Sequence, residues 1–361
     1  MGALRTPQPE QRQELLDWLD DGLRGGRRGR LLAEYPTALE PGPRARHFAA
    51  RVEGRLAAHA LVKIARATAG GRTQPLGMIG LVYTDPAFRG QGLAGRCVEA
   101  CVRHLVHCGV PLAALWSDRH SFYARLGFHP AGREFLYRVS RGSAARARLR
   151  LPGPYAVEPP GHADWAALEA LYAQKPARVA RAPGELARLA RCPDSRLLLA
   201  RSGARVVAYA ALGRGDDFSG VVHEWAGEPG GVLACLGELF GEREELLLLA
   251  GPQEEAPVAS LRAAGADVHQ GIFALVRLLD APRLWRALTG DEPRLAAARL
   301  SARPEGFLLE SGGGQVELDR AEGLALLLGP DLPRAVRGLP GGALEHALLP
   351  WPLFAWGFDS I

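Results

Sequence analysis

Lysine is almost missing from this chain of 361 residues: only Lys63 and Lys175 occur among 44 basic side chains, so the other 42 are arginines. Arginine is over-used together with alanine, glycine, leucine and proline, which indicates a compositional bias. A surface that binds nucleic acid usually concentrates its charge and interleaves aromatic side chains. These arginines are dispersed, and no zinc-finger, RRM or basic-zipper signature occurs. We therefore expect no nucleic-acid partner, although the formal net charge is +5.

Cysteines are few, and long apolar runs are missing. An odd number of five cysteines in so long a chain argues against a disulfide framework and indicates reduced thiols in the cytoplasm. No apolar run approaches the roughly 18 residues that a membrane span needs, and the first residues lack a secretory apolar core. The sequence therefore predicts a cytoplasmic protein with no membrane partner, and it leaves open whether the chain forms a homo-oligomer.

The composition that remains is that of a globular protein, with 47% apolar and 23% charged residues. The length predicts two or three domains. A helix, several strands, a second helix and short closing elements fill the first 140 residues, and 154–280 repeat that order. We infer an internal duplication. Breakers and small residues in 140–153 predict a linker, and 281–361 form a smaller third segment whose aromatic end predicts a docked tail.

A glycine-rich motif between a predicted strand and a predicted helix is the strongest chemical signal. It spans residues 89–94 with the sequence RGQGLA. Glycines let the backbone turn tightly and approach a ligand closely. The first amides of the following helix lack intrahelical partners and lie at the positive end of its dipole. With the Arg89 guanidinium beside them, these amides predict a seat for a phosphate or pyrophosphate.

A dinucleotide is one ligand that this seat could hold. Gly90, Gly92 and Gly95 satisfy the dinucleotide fingerprint, and Asp118 follows the last glycine by 23 residues, where a ribose-binding acid is expected. However, the predicted strand ends at Asp85, several residues before the motif. The motif also follows a helix and several hairpin strands instead of opening a βαβ unit. A Rossmann-type NAD(P) oxidoreductase is therefore the less favoured alternative.

The same residues match a second signature. Arg89-x-x-Gly92-x-Ala94 matches the Arg/Gln-x-x-Gly-x-Gly/Ala pattern of the GNAT N-acetyltransferases, and the strand and turn at 81–89 resemble the segment that precedes it there. The stretch 122–128, which begins 30 residues after Gly92 and reads FYARLGF, resembles the second motif of that superfamily. The two motifs at this spacing are more specific than either alone.

The order of the predicted segments extends the resemblance. Two acetyltransferase-like halves followed by a small domain resemble the Eis (enhanced intracellular survival) family, whose last domain is similar to a sterol carrier protein. Motifs carry this resemblance only over residues 76–139. It implies an α/β (α+β) fold with two tandem GNAT-like mixed-sheet domains, residues 1–145 and 146–280, and a small α+β sterol-carrier-like domain, residues 281–361.

The resemblance implies acetyl-CoA as the co-substrate. The residues that it assigns to acetyl-CoA binding are Val82, Tyr83, Thr84, Arg89, Gly90, Gln91, Gly92, Leu93, Ala94 and Gly95. No metal is expected. Cys97, Cys101, His104 and Cys108 do form a stripe at helical spacing, but it spans 11 residues, or about 16 Å of helix, which is too long for one metal site.

Amide formation requires two proton transfers, since the amine must lose a proton and the departing thiolate must gain one. The resemblance gives Tyr123 the role of general acid, and it gives the terminal carboxylate, here that of Ile361, the role of base. Asp359 and His120 are the alternative bases. The implied partner is a small-molecule amine of the aminoglycoside, polyamine or lysine type, which attacks directly without an acyl-enzyme.

The second half lacks the phosphate seat. Its corresponding stretch, residues 223–231, has glycines but no preceding arginine, and Glu224 and Glu228 would repel a phosphate. We expect this half to bind no coenzyme A and to complete the substrate cavity. A non-catalytic protein that binds a small molecule or an acyl-CoA on the same scaffold is the alternative function from a different class.

Overall fold

Two compact units make up the chain. The computed structural model describes residues 4–5, 9–40, 42–149, 153–241, 243–253, 255–290, 295, 298–338 and 349–361. Unit 1 contains residues 1–132, 272–352 and 361, and unit 2 contains residues 133–271 and 353–360. Each unit therefore combines stretches that lie far apart in the sequence.

The first 140 residues alternate short helices with long hairpin strands. In chain order the elements are β1 (Leu4–Arg5), α1 (Arg12–Arg24), α2 (Arg30–Glu34), α3 (Pro36–Leu39), β2 (Ala45–Val52), β3 (Arg55–Ala69), β4 (Arg72–Thr84), α4 (Leu93–His107), β5 (Leu112–Leu115), α5 (His120–Ala124), β6 (His129–Ala131) and β7 (Glu134–Ser140). The predicted strands and the helix after the glycine-rich motif are confirmed, because alternating apolar residues and the helix-ending glycine mark them clearly.

The second stretch repeats much of this order. Its elements are α6 (Ala144–Leu149), β8 (Ala156–Glu158), α7 (Trp165–Ala173), β9 (Arg178–Val179), α8 (Glu185–Leu189), β10 (Arg196–Ser202), β11 (Arg205–Leu212), β12 (Val221–Gly227), α9 (Pro229–Phe240), β13 (Glu245–Ala250), α10 (Ala256–Ala263), β14 (Asp267–Gly271) and β15 (Ala274–Leu278). The last stretch forms α11 (Ala281–Thr289), β16 (Arg299–Arg303), β17 (Gly306–Ser311), β18 (Gly314–Asp319) and α12 (Arg320–Leu328).

The large sheet of unit 1 is mixed and covered on both faces. Its strand order is β1-β2-β3-β4-β5-β15-β6. Strands β2, β3 and β4 form an antiparallel meander, whereas β4 and β5 run parallel because α4 crosses between them. One apolar cluster packs α4 against the sheet, and a second packs α1 to α3 against it. The small sheet β16-β17-β18 also belongs to this unit.

The sheet of unit 2 has seven strands in the order β14-β7-β13-β12-β11-β10-β8. Strands β12 and β13 are parallel, and α9 crosses between them as α4 does between β4 and β5. These two mixed sheets confirm the predicted fold class. They also contradict the oxidoreductase alternative, which requires a mostly parallel sheet.

The final strands of the two halves are exchanged. Strand β7 follows β6 in the chain but pairs with β13 and β14, whereas β15 pairs with β5 and β6. Alternation of apolar residues predicts that a strand forms but carries no information on which sheet it joins. The two units consequently do not follow the segments inferred from sequence, and the division at residues 145 and 280 stays a prediction, as does the sterol-carrier likeness.

The linker predicted at 140–153 is wrong for its central part. Residues 144–149 form α6, which buries Ala145 and Leu149. The guanidinium of Arg146 lies 4.1 Å from the centre of the Phe240 ring. The sequence did not predict this helix because its residues are small or basic and show no apolar periodicity. One of its packing contacts is made by a cation over an aromatic ring, which a search for apolar residues does not detect.

Both lysines of the chain are buried. Lys63 on β3 is 4% exposed, and its Nζ donates to the Thr37 hydroxyl over 2.8 Å. Lys175 is 3% exposed, pairs with Glu255, and has its Nζ 4.0 Å from the centre of the Trp356 ring. Every exposed side-chain cation of the described residues, apart from histidine, is therefore an arginine.

Candidate functional site

Strands β4 and β5 separate shortly after they meet. They pair only at Gly77 with Ala113 and at Met78 with Ala114, and β4 then runs on to Thr84. The register between β3 and β4 shifts just beyond this point, and Leu81 there has φ of 49°. A bulge of this kind re-aims the strand. The diverging ends leave a gap whose edge is formed by the last residues of β4.

A pair of histidines supports the bulge. The Nδ1 atom of His59 lies 2.9 Å from the carbonyl oxygen of Leu81 and must donate to it. In a neutral imidazole the other nitrogen is an acceptor, so Nε2 of His59 accepts a hydrogen bond from Nδ1 of His47 over 3.0 Å. Burial lowers the pKa of His59 to about 3 and that of His47 to about 4. Both rings are therefore neutral near pH 7.

Acidification is expected to weaken unit 1 through His59. In the unfolded chain this histidine takes up a proton below its ordinary pKa of 6.5, whereas the folded form resists protonation down to about 3. The unfolded state thus binds more protons in this window, and stability falls as the pH falls. We expect a loss of about 2 kcal/mol from this residue between pH 7 and pH 5.

Denaturant titrations at the two pH values measure this loss. In His59→Asn, the loss of stability between pH 7 and pH 5 should be smaller by about 2 kcal/mol than in the unchanged protein. In His120→Asn, whose ring is exposed in the native protein, the loss should be unchanged. Equal losses in the unchanged protein and in His59→Asn would contradict the assignment.

The glycine-rich motif forms an open cradle at the start of α4. Gly90 and Gly92 have φ of 78° and 72°, values that favour glycine, and a Cβ at either position would meet nothing within 4 Å. Gly92 precedes the helix, and no described side chain caps the helix start. The first intrahelical bond runs from Arg96 N to Gly92 O, so the amides of residues 93–95 are available to an acceptor.

Arg89 lies beside this cradle and is exposed. Its Nε donates to the carbonyl oxygen of Thr84 over 3.4 Å, which ties the end of β4 to the loop. Gln91 is exposed, whereas Leu93 is buried in the core under the helix. A Cβ at Gly95 would lie 3.7 Å from the Leu126 side chain. The predicted residues of the motif are thus brought together around one positive helix end.

Two of the three predicted residues of β4, Val82 and Tyr83, face opposite sides of the sheet. Val82 packs into the cluster that contains α4, whereas Tyr83 packs into the cluster on the other face of the sheet. The Tyr83 ring lies 4.8 Å from the ring of Trp18 and is so close to Gly22 that a Cβ there would overlap it. Tyr83 can therefore contact a ligand at the cradle only through its main chain.

Tyr123 lies after the end of β5, on α5. Its side chain is 5% exposed and packs with Phe122 and Phe128, whose ring centres lie 4.9 and 6.2 Å away. Burial raises the pKa of the Tyr123 phenol, while Arg119 and a hydrogen bond with Ser117 act against that rise. The phenol is consequently protonated at neutral pH and can serve as a proton donor.

The carboxyl group of Ile361 lies against the gap-lining strand. A Cβ at Gly80 would be 2.6 Å from the main-chain carboxyl carbon of Ile361 and 2.7 Å from its oxygen, so only glycine leaves room for it. The Ile361 side chain packs against the apolar cluster that contains α1 to α3, as do those of Leu81 and Tyr83. Sequence reasoning assigned a role to Ile361 but did not detect Gly80, whose lack of a side chain is what admits the terminal residue.

The corresponding helix start in unit 2 is closed. Glu228 precedes α9 and binds Arg205 through a hydrogen bond of 2.6 Å, and Pro229 takes the first helical position. A Cβ at Gly230 would lie 2.8 Å from the Tyr155 hydroxyl. The argument that Glu224 would repel a phosphate here is wrong, because Glu224 is fully buried on β12 and bound to Arg181.

The chain's own tail fills the strand gap of unit 2. Strands β12 and β13 pair only at residues 221–222 with 247–248. Beyond that point, the nitrogen of Gly357 donates to the carbonyl oxygen of His223 over 3.3 Å, and Phe354 packs on Gly251. The Trp356 ring lies 4.9 Å from that of Trp225. The docked aromatic tail predicted from sequence is thus confirmed.

Asp359 is engaged on both carboxylate oxygens. Oδ1 accepts from Nε of Arg181 over 2.8 Å, and Oδ2 accepts from the Tyr172 hydroxyl over 2.6 Å and from Nη2 of Arg181 over 2.9 Å. This arrangement argues against Asp359 as a base. His120, the other alternative, is exposed at the start of α5.

The cysteine and histidine stripe on α4 is mostly core. Cys97 and Cys101 are buried in the apolar cluster, and burial raises the pKa of both thiols. Within the described ranges, no group of three or more His, Cys, Asp or Glu side chains could hold a metal ion. No helix in the described part of the chain is long and apolar enough to cross a membrane.

The segment that contains both sequence motifs matches a known protein family. Residues 12–128 match the model of the acetyltransferase (GNAT) family. This segment is therefore similar in sequence to the GNAT acetyltransferase domain. The match includes the cradle, the strand gap and Tyr123, and it confirms the superfamily inferred from the two motifs. Acetyl-CoA is the acetyl donor that this family uses.

Solved structures extend the fold comparison beyond the GNAT domain. A GCN5-related N-acetyltransferase from Anabaena variabilis is similar with a TM-score of 0.70 and 15% identity, and each chain is covered completely. Eis1 from Mycobacterium abscessus has a TM-score of 0.61 and 18% identity, again over all of both chains. A GCN5-related N-acetyltransferase from Kribbella flavida has a TM-score of 0.60 and 19% identity over 88% of this chain and 83% of its own.

These similarities show that the whole chain shares its fold with GNAT proteins, including an Eis protein. No curated protein matches the chain in sequence. The identities are too low for substrate or mechanism to be carried over from the GNAT structures.

Proposed function

We propose that the protein transfers an acetyl group from acetyl-CoA to a primary amine of a small molecule by direct attack. One observation carries the proposal: the uncapped start of α4, with Arg89 beside it, opens next to a strand gap. Tyr123 lies on the helix that follows β5, and the carboxyl group of Ile361 lies on β4. Open cradle, proton donor and carboxylate are the three groups that this chemistry needs.

The cradle fits the pyrophosphate of coenzyme A. The space above Gly90 and Gly92 is open, the amides of residues 93–95 are available, and the helix dipole favours an anion. Arg89 adds a charged donor that can reach phosphate oxygens. The closed helix start of unit 2, with its acid, proline and covering tyrosine, supports one coenzyme site for each chain.

Tyr123 and Ile361 divide the proton transfers. The Ile361 carboxylate takes a proton from the attacking amine, whose nitrogen forms the new bond to the acetyl carbon as the carbon–sulfur bond breaks. The Tyr123 phenol gives its proton to the departing sulfur. An ordinary α-carboxylate is a weak base, with a pKa of about 3.5, and desolvation is what makes such a group a better one.

An acetylation screen over amine libraries tests the activity and identifies the acceptor. Aminoglycosides, polyamines and lysine derivatives are the first compounds to assay, with free coenzyme A as the measured product. Turnover with one of these amines supports the proposal. Binding of acetyl-CoA without turnover across the library would favour the non-catalytic alternative.

Arg89→Ala is expected to weaken acetyl-CoA binding about tenfold, because a charge-assisted bond to phosphate contributes about 1.5 kcal/mol or more. Calorimetry gives the Kd. The matched control is Arg103→Ala, an exposed arginine farther along α4, which should leave the Kd unchanged. Equal Kd values for Arg89→Ala and the unchanged protein would place the phosphates elsewhere.

A further inference from the structure

Arg277 on β15 joins two parts of unit 1 through one nitrogen. Its Nη1 atom donates to the Glu99 carboxylate on α4 over 2.6 Å and to the main-chain carbonyl oxygen of Leu126 over 2.9 Å. A guanidinium Nη atom carries two hydrogens, so each acceptor takes one of them. The half-buried Arg277 side chain thereby links the helix that starts at the cradle to the turn that follows α5.

The turn after α5 is closed on Tyr123. The Phe128 nitrogen donates to the Tyr123 carbonyl oxygen over 3.1 Å. The Gly127 nitrogen donates to that of Ala124 over 2.9 Å, and Gly127 has φ of 75°. These bonds form a Schellman motif, and the Tyr123 and Phe128 rings, 6.2 Å apart, supply the apolar contact that often accompanies it. A movement of the turn is therefore a movement of Tyr123.

Helix α5 is too short to hold this turn by itself. It has five residues, and a helix of that length needs tertiary contacts to be stable in water. Apolar packing of Tyr123 and Phe128 in the core supplies one such contact, but that attraction is non-directional. The hydrogen bond from Arg277 to the Leu126 carbonyl is directional. It also comes from a strand that is paired on both sides, with β5 and with β6.

The same turn lies against the first turns of α4. A Cβ at Gly95 would be 3.7 Å from the Leu126 side chain. Glu99 follows Gly95 by four residues, and residues at that spacing lie on one face of a helix. One face of α4 thus contacts Leu126 at Gly95 and Arg277 at Glu99. The helix that carries the cradle and the turn that closes on Tyr123 are held together by these contacts.

We propose that Arg277 is a positioning residue, which holds the Leu126 carbonyl and, through this turn, keeps the Tyr123 phenol in the place required for protonation of the departing sulfur. This inference rests on the proposed function, in which Tyr123 is the general acid. The arginine reaches this sheet through the exchange of the final strands, since β15 belongs to the second half of the sequence but pairs with β5 and β6.

Proton transfer requires accurate placement of the acid. The phenol must come within hydrogen-bond distance of the atom that it protonates. A misplacement of about 1 Å can lower a rate by about 10²-fold. When the turn is loosened, the phenol occupies other positions and a smaller fraction of the bound complexes reacts. The loss belongs to kcat and not to acetyl-CoA binding, because the cradle amides and Arg89 keep their places.

Arg277→Met tests the proposal. The methionine keeps an unbranched apolar side chain but has no donor for the Leu126 carbonyl or for Glu99. We expect kcat to fall at least about tenfold, while calorimetry gives an unchanged Kd for acetyl-CoA. Hydrogen exchange at the amides of residues 126–128 should become faster, which reports loosening of the turn independently of activity. Arg277→Lys, a cation of shorter reach, should show smaller changes in the same direction and serves if the methionine variant does not fold.

A double-mutant cycle distinguishes positioning from a merely structural role. If Arg277 acts through the phenol, adding Arg277→Met to Tyr123→Phe should lower kcat little further, because the acid is already absent. If Arg277 supports the enzyme in some other way, the two losses in kcat multiply. The same comparison applies to Arg277→Lys.

Arg283→Met is the matched control. Arg283 on α11 also donates through Nη1 to a main-chain carbonyl at a glycine that follows a helix, that of Gly109 after α4, over 2.6 Å. It therefore holds the far end of α4 and not the turn after α5. Its kcat, and the exchange of amides 126–128, should equal those of the unchanged protein.

The outcomes separate this inference from the proposed function. Full kcat of Arg277→Met in an active enzyme would overturn the positioning role alone. Losses that multiply in the double variant, or an equal loss in Arg283→Met, would overturn it as well. Full kcat of Tyr123→Phe would discard the phenol as the acid, and the positioning role with it. Absence of turnover by the unchanged protein across the amine library would overturn the proposed function and this inference together.

Discussion

Tyr123→Phe is expected to lower kcat by about 10²- to 10⁴-fold, the range over which a positioned general acid contributes. The substitution removes only the hydroxyl, so the packing of the ring against Phe122 and Phe128 is retained. Without that proton the sulfur must leave as a thiolate, whereas the cradle at α4 is unaffected. Steady-state kinetics with saturating amine, together with calorimetry for acetyl-CoA, separates the loss in kcat from any change in Kd.

Tyr137→Phe provides the control for this substitution. Tyr137 is also buried, and its hydroxyl accepts a hydrogen bond from Arg262 over 3.1 Å within unit 2. Its replacement should leave kcat unchanged. Equal turnover by Tyr123→Phe and the unchanged enzyme would remove the phenol from the mechanism and would direct attention to a water molecule as the acid.

Arg181→Met is expected to lower the free energy of unfolding of unit 2 by about 3–5 kcal/mol. The methionine side chain fills much of the space, but Glu224 and Asp359 are left as buried carboxylates without their common cation. Denaturant titration followed by tryptophan fluorescence measures the loss, because Trp225 and Trp356 are buried in the same unit.

Two further variants decide whether the charge balance causes that loss. Combining Arg181→Met with Glu224→Gln and Asp359→Asn removes the uncompensated charges and should recover most of the stability. Arg201→Met also takes an arginine from two carboxylates, those of Glu158 and Asp164, yet its side chain is 24% exposed and water can replace it. We expect that variant to lose much less stability than Arg181→Met. Similar losses for Arg181→Met and Arg201→Met would contradict the role of burial.

The sequence predicted the candidate site best where the residues that form a feature are neighbours in the chain. The glycines at 90 and 92 need positive φ, the uncapped α4 needs no partner from elsewhere in the chain, and both features could be inferred from neighbours in sequence. Tyr123 could be predicted for the same reason, because it belongs to a motif of seven consecutive residues. In the structure the motif residues lie around the start of α4, and Tyr123 lies on α5 in the apolar cluster that contains α4.

Long-range pairing could not be inferred in this way. The exchange of β7 and β15 depends on which sheet offers the better edge, and no local pattern encodes that choice. His59 was missed because its importance comes from the Leu81 carbonyl, 22 residues away. Arg181 and Arg277 were hidden among 42 arginines, and only the contacts that each makes in the structure distinguish them. A histidine in each strand of the β2–β3 hairpin was the one signal that could have pointed to the bulge.

The burial of Lys63 and Lys175 has a practical consequence for the proposed acetylation of amines. Neither lysine side chain can reach acetyl-CoA in the folded protein. The lysine amines therefore do not compete with the amine substrate for the acetyl group. Any lysine acetylation found by mass spectrometry after incubation with acetyl-CoA would therefore mark molecules that have opened. The same two positions make amine-directed reagents a probe of unfolding, with unit 1 reported by Lys63 and unit 2 by Lys175.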